Sequence, residues 1–317
     1  MRRTEASGHE SRAGRADWLT WVAFLLVAVF AGGSPVAVRF SNSGLPPFWG
    51  ASLRFSAAAL IFWVIVLGRR IPLPRGRALI GALLYGLLAI GASYACMYWG
   101  MLRAPAGLAG AVLAFTPLMT LFCAWAHGLE VVGWRGLIGA LVATAGILLG
   151  VVEGFGIAMH LPSVLIMLAG AAFLAEAAVL LKIFPEGHPT ATNAVALTTG
   201  APLLMILSRL RGEEWALPTT RNTWAAFGYL VLIGSVGVFT LYLTVLSRWT
   251  ASATSYLFLL MPVVTVVIAA VVAGEVVTTW FFIGTALVLA GVWLGAIHAP
   301  PQEAEPLCPG VPAHAAC

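Results

Sequence analysis

The sequence predicts an all-α integral membrane protein, with ten transmembrane helices arranged as two inverted five-helix repeats. Three observations carry this expectation. Hydrophobic residues make up 61% of the chain and charged residues 9%, against roughly a quarter charged in soluble domains. Ten apolar stretches, each close to the ~20 residues that a bilayer requires, are separated by short loops. The chain also matches itself at an offset of 145 residues.

The first predicted span is 18–40. The basic segment "MRRTEASGHESRAGRAD" precedes it, which is the order of a secretory signal. The apolar stretch is longer than a signal's and lacks a clear small-x-small cleavage site. It therefore reads as a span, with 1–17 as a cytoplasmic N-terminal segment. Spans 47–67, 77–99, 104–126 and 134–152 complete a first unit, 18–152. Spans 162–184, 190–208, 222–246, 251–272 and 278–297 form a second unit, 162–297. The Pro-rich stretch 299–317 is expected to be a disordered cytoplasmic tail.

Net charge is +5, and Lys182 is the one basic residue that is not Arg. These charges sit mainly in short loops, which fits topology control and argues against nucleic acid as a partner. With the N-terminus inside, Arg2, Arg3, Arg12, Arg15, Arg69, Arg70, Arg75, Arg77, Arg135, Lys182 and Arg248 fall on the cytoplasmic side. Arg39, Arg103, Arg209, Arg211 and Arg221 fall outside. The majority places both termini in the cytoplasm, with the 209–221 loop dissenting. Cys96, Cys123, Cys308 and Cys317 form no CxxC motif, so no metal or redox centre is expected. No phosphate-binding GxxxxGK[ST] loop occurs either, and no cofactor is expected.

The repeat is most explicit over 103–150, where 14 of 48 positions equal their partners 145 residues later. Arg103 meets Arg248, Pro117 meets Pro262, and Glu130 meets Glu275. Gly139, Gly146 and Gly150 meet Gly284, Gly291 and Gly295. Each unit holds an odd number of spans, so the second copy must enter the membrane from the opposite side. Inverted repeats of this kind are frequent in secondary transporters, where the two halves alternate a central site between the two faces.

Three stretches add a resemblance. They are "GGSPVAVRFSNSGLPPFWGASLRFSAAALIF", "AGLAGAVLAFTPLMTLFCAWAHGLE" with "GLIGALVATAGILLG", and "ASATSYLFLLMPVVTVVIAAVVAGEVVTTWFFIGTALVLAGVWLG". They resemble EamA-type transporters of the drug/metabolite transporter superfamily. The resemblance covers about 18–297. It implies ten helices around a cavity, with the fifth and tenth at the periphery. It also implies ATP-independent movement of small metabolites, amino acids or drugs. In the first repeat, Leu129 stands where the second has Gly274.

Individual residues sharpen the expectation. Glu176, in "AAFLAEAAVLLK", lies about 21 Å into its span at helical rise, where insertion scales put a charge at roughly +2.5 to +3.5 kcal/mol. It must face the bundle or a wet cavity, as a proton carrier or as a hydrogen-bonded lock between helices. Arg54, in the second span, is expected to be structural or gating, to pair with Glu176, or to receive an anionic group. Tyr94, Tyr98, Tyr242, Tyr256 and Asn193 are candidate cavity residues, Asn193 with helix capping as its alternative. Gly32, Gly33 and Pro35 break the first span close to the repeat partner of Glu176, suggesting that the break faces the carboxylate. Pro117 and Pro262 are expected to kink their helices mid-span. Glu130 and Glu275 suit helix N-termini, and the spaced glycines suit close packing, with a homodimer as the alternative.

The functional expectation is a secondary transporter of small organic solutes in a bacterial inner membrane. The alternatives are an intramembrane enzyme and a non-transporting assembly subunit. An enzyme would need a catalytic constellation, and His127, His160 and His188 lie at span ends with nothing expected to pair with Glu176.

Overall fold

The computed structural model describes residues 3–104, 106–129, 134–155, 160–185, 187–255, 257–274 and 279–296. Tyr256, Glu130, Glu275 and the C-terminal tail lie outside these ranges. Among the described residues all regular structure is helical. Six stretches are long and apolar enough to cross a bilayer: 18–42, 47–68, 77–100, 161–183, 189–210 and 221–248. Their ends fall within two residues of the predicted spans.

The first stretch is α1 (Arg3–Gly32) followed by α2 (Ser34–Asn42). Pro35 occupies the first turn of α2, where its missing N–H costs nothing. Helix α3 (Pro47–Gly68) also opens on proline. The third stretch is α4 (Arg77–Tyr85), a π-helical turn (Gly86–Ser93) and α5 (Tyr94–Gly100). Next come α6 (Ala106–Leu113), α7 (Thr116–Ala126) and α8 (Trp134–Phe155).

The second unit begins with α9 (Leu161–Ile183) and α10 (Pro189–Leu210). Its third stretch is α11 (Arg221–Val231), a π-helical turn (Leu232–Gly237) and α12 (Val238–Arg248). Helices α13 (Ala251–Ser255), α14 (Leu257–Ala273) and α15 (Thr279–Ala296) complete it. The two π-helical turns coincide under the 145-residue shift. Single π turns of this kind recur at functional sites.

Loop chemistry accounts for several helix ends. Thr220 caps α11 by accepting from the Thr223 N–H. Glu213 reaches across from the second unit and accepts from the N–H groups of Phe48 (3.2 Å) and Trp49 (2.8 Å) at the start of α3. Trp49 stacks on Trp215 at 4.8 Å, and Arg209 lies 3.8 Å above the same ring. The dissenting 209–221 loop is thus a latch in which an arginine is held by an aromatic face. Gly128 (φ 71°) and Gly274 (φ 63°) both adopt the left-handed conformation just past α7 and α14. Leu129 in place of a second-unit glycine is therefore a one-residue shift of the cap.

Packing follows the repeat. Helix α1 lies against α12 and α14 of the second unit. Correspondingly, α9 lies against the third stretch and α7 of the first. Helices α3 and α10 pack on each other between these layers, as do α8 and α15. Arg248 donates to Thr20 at 2.9 Å, and its repeat partner Arg103 donates to His160 at 2.9 Å. Each arginine therefore ties the third stretch of one unit to the first stretch of the other.

Helices α8 and α15 touch the remaining bundle at few places, so their mutual contact holds them in position. Gly291 is the point of closest approach: an added Cβ would collide with the backbone of Gly139 and Ala143. Gly291→Ala should therefore lower stability by about 1–3 kcal/mol. Gly228→Ala, which meets open space, should not. Thermal denaturation of the two purified variants checks this.

Candidate functional site

A cavity lies at the junction of the two units. Its walls come from α1, α2, α3, the third stretch and α6 of the first unit, and from α9, the second π-helical turn, α12 and α14 of the second. About 90 Å³ is open to the centre of a water molecule, against roughly 10–15 Å³ for one water. The lining is mostly apolar and aromatic, including Tyr85, Tyr94, Tyr98, Phe239, Tyr242, Phe258 and Met261. Arg54, Ser34 and Ser93 supply further polar groups. No described lining residue is acidic.

Arg54 is fully buried. Its Nε donates to Ser235 Oγ (2.8 Å), Nη1 to Tyr98 OH (3.2 Å), and Nη2 to the Gly234 carbonyl (2.8 Å). Phe55 and Tyr94 lie 4.8 and 5.3 Å from the guanidinium carbon, as in cation–π contacts. Gly234 permits this approach, since an added Cβ would sit 3.2 Å from Nη2 and 3.0 Å from Ser34 Oγ. The arginine thus neither reaches the membrane surface nor pairs with Glu176. It spans the interface between the units.

The candidate cavity residues Tyr94, Tyr98 and Tyr242 line this cavity, and so does Pro35, which was singled out for the break in the first span. Asn193 does not. It is buried and donates from Nδ2 to the Phe239 carbonyl at 3.0 Å, while His188 caps α10. Neither expected role fits Asn193: it braces α10 against α12. Tyr85, Phe239 and Ser34 were missed from the sequence. Tyr85 and Tyr94 are nine residues apart, or about two and a half α-turns, which implies opposite faces. The π-helical turn between them changes that register, and both line the cavity.

The break at Gly32–Pro35 is closed by the second unit. Tyr229 OH donates to the Phe30 carbonyl and Thr265 Oγ1 to the Gly32 carbonyl, both at 2.7 Å. Gly32 lies against Val264, and Gly33 against the Tyr229 hydroxyl. The expectation that this break faces Glu176 is therefore corrected. It faces α11 and α14, because the first span of each unit packs on the other unit's later spans. Pro262 lies inside α14, whereas at Pro117 the span is interrupted outright rather than kinked mid-helix. Helix α6 ends at Leu113, and Pro117 sits in the first turn of α7. Pro202, inside α10, was not singled out.

Glu176 lies outside the described cavity lining and has a partner. His127 Nε2 is 2.7 Å from Glu176 Oε1, with the two side chains 33% and 30% exposed. The expectation that no histidine would meet this carboxylate is corrected. His127 directly follows the last turn of α7, and the α7–α9 contact brings it to a residue well inside α9. Cys123, one turn earlier on α7, adjoins the same carboxylate.

Fold and span lengths define a multi-pass membrane protein. The EamA-like transporter family matches residues 18–152 and 161–296. The chain belongs to that family. It is similar to the uncharacterized inner membrane transporter YedA of Escherichia coli, at 26% identity over 83% of this chain and 86% of the relative. An uncharacterized transporter of Archaeoglobus fulgidus is 24% identical, over 86% and 97% of the two chains. A probable terminal-alkyne amino-acid exporter of Streptantibioticus cattleyicolor is 26% identical, over 86% and 92%. A solved crystal structure superposes with a TM-score of 0.66 at 21% identity, covering 90% of this chain and 98% of the other.

The closure of the break is testable. Tyr229→Phe and Thr265→Val each leave one carbonyl of the first stretch without its donor, in surroundings that offer no replacement. Each should cost about 1–3 kcal/mol, and the double variant more than either. Thermal melts of the purified proteins measure the effect.

Proposed function

We propose that the protein is a secondary transporter that moves small organic solutes across a bacterial cytoplasmic membrane by alternating access. The observation that carries this is the cavity between two sequence-related units, walled by both. Such a site can open to either side when the units rock against each other. Ten spans with both termini in the cytoplasm follow from the odd number per unit and from the arginine distribution. The amino-acid exporter among the relatives supports amino acids or similarly sized metabolites as cargo. No ATP-binding motif occurs in the sequence, and the reading requires no covalent chemistry. The lipid bilayer and the solute are then the partners. The close α8–α15 packing within one chain uses Gly291 without a second copy.

The His127–Glu176 pair is the candidate proton carrier. Two groups 2.7 Å apart can share one proton across a single hydrogen bond. Cys123 is the other titratable group beside it.

Two measurements test these points. Leu113→Trp places a large ring in the cavity and should abolish solute flux in proteoliposomes while leaving the protein folded. Undiminished flux would exclude the cavity as the path. Glu176→Gln should flatten the pH dependence of transport. An unchanged pH profile would remove the pair from coupling and leave it a structural lock.

A further inference from the structure

Arg54 is a buried cation without a described counter-charge. Burial of an ionised group is costly unless an opposite charge or a full set of hydrogen bonds compensates it. Of the twelve acidic residues, Glu5, Glu10, Asp17, Glu303 and Glu305 lie in the terminal segments. Glu130, Glu153, Glu186, Glu213, Glu214 and Glu275 fall at span ends or in loops. Glu176 faces His127 instead. Among the described residues, no carboxylate lies within ion-pair distance of Arg54.

The hydrogen bonding is incomplete as well. A guanidinium carries five N–H donors; three of them donate to Ser235, Tyr98 and Gly234, and the Tyr94 hydroxyl adjoins the group as a further acceptor. At least one N–H remains, on a side chain that lines the cavity. Phe55 and Tyr94 flank the group, while Tyr98 OH, itself bonded to Nη1, stands beside it. This leaves a pre-positioned cation without a described counter-charge next to an otherwise aromatic and apolar chamber.

We propose that Arg54 is the anion-recognition point of the cavity, and that the solute it accepts is a small organic carboxylate with an apolar or aromatic body. The proposal rests on the transport reading and names its substrate class. The carboxylate supplies the missing charge and accepts charge-assisted hydrogen bonds from the guanidinium. Its body lies on the tyrosine and phenylalanine rings. A primary amine finds no described acidic partner there. The site is asymmetric, since the repeat partner of Arg54 is Thr199. One recognition point therefore serves both access states, carried on α3 and anchored to the π-helical turn of the opposite unit through Ser235 and Gly234.

The test uses the full-length protein in detergent and matched probes: phenylacetate and benzoate, their primary amides, and phenethylamine. Binding is read by calorimetry and thermal shift in gluconate buffer. The acids should bind at least tenfold more tightly than the amides, and the amine should not bind. Arg54→Gln should erase the acid-over-amide preference, and Arg54→Lys should restore part of it. A purely structural arginine would alter stability without altering that ratio. Equal binding of acid and amide, absence of acid binding, or a preference that survives in Arg54→Gln overturns the proposal. So does chloride alone giving the same protection as the acids, which would make this an inorganic anion site. If Arg54→Gln does not fold, the wild-type acid/amide ratio and the Arg54→Lys variant still decide. Proteoliposome flux separates the two readings. Acid binding without any transport supports the anion site and removes the transporter. Cavity-dependent flux of amide or amine without acid binding does the reverse.

Discussion

A polypeptide in hydrocarbon has no water to satisfy its backbone, so every interrupted helix needs donors and acceptors from within the protein. The first stretch of this chain is interrupted at Gly33, and the carbonyls of Phe30 and Gly32 beside the break accept side-chain hydrogen bonds. Both are claimed by hydroxyls from the second unit, Tyr229 and Thr265. The third stretches are interrupted differently, by π-helical turns. In the second of these turns the Gly234 carbonyl accepts from Arg54 of the first unit. The breaks that shape the cavity are therefore the bonds that join its halves.

That coupling fixes each wall of the cavity to the opposite unit. Thr265 lies on α14 and Tyr229 on α11, so the first stretch is held by two helices of the other unit. Close glycine crossings reinforce the arrangement: Gly86 abuts Ala196, and Gly200 abuts Ile90 and Gly86, where the third stretch meets α10. Packed interfaces of this kind shift between discrete arrangements more readily than they deform. Helices α8 and α15 stand apart, packed chiefly on each other, outside the layers that line the cavity.

Much of this was legible in residue order. Apolar runs of bilayer length marked six spans to within two residues. Helices α3 and α10 open on Pro47 and Pro189, because proline tolerates the first turn. The coincidence of Arg103 with Arg248 announced a duplication, and the two arginines make corresponding contacts. Arg54, Tyr94, Tyr98 and Tyr242 stood out as polar or amphipathic groups inside apolar runs, and they do meet in one cavity. Tyr85 escaped because α-helical periodicity sends it to the opposite face from Tyr94, and a π-helical turn leaves no compositional mark.

Glu176 shows where one-dimensional reading ends. Its depth along the helix established that it needs a partner, since a lone carboxylate in hydrocarbon is costly. Which partner it takes depends on how α7 crosses α9, and that crossing is set by side-chain packing between units distant in sequence. His127 looked like a surface residue because its own helix ends there. The sequence by itself determined the lipid environment, the spans, the duplication and the identity of the buried polar groups, because these follow from local composition and period. The tertiary structure alone decided that Arg54 faces the cavity without a carboxylate, that Glu176 faces His127, and that the broken first stretch is closed by Tyr229 and Thr265. Those pairings depend on which helix faces meet, and helix contact is a property of three-dimensional packing.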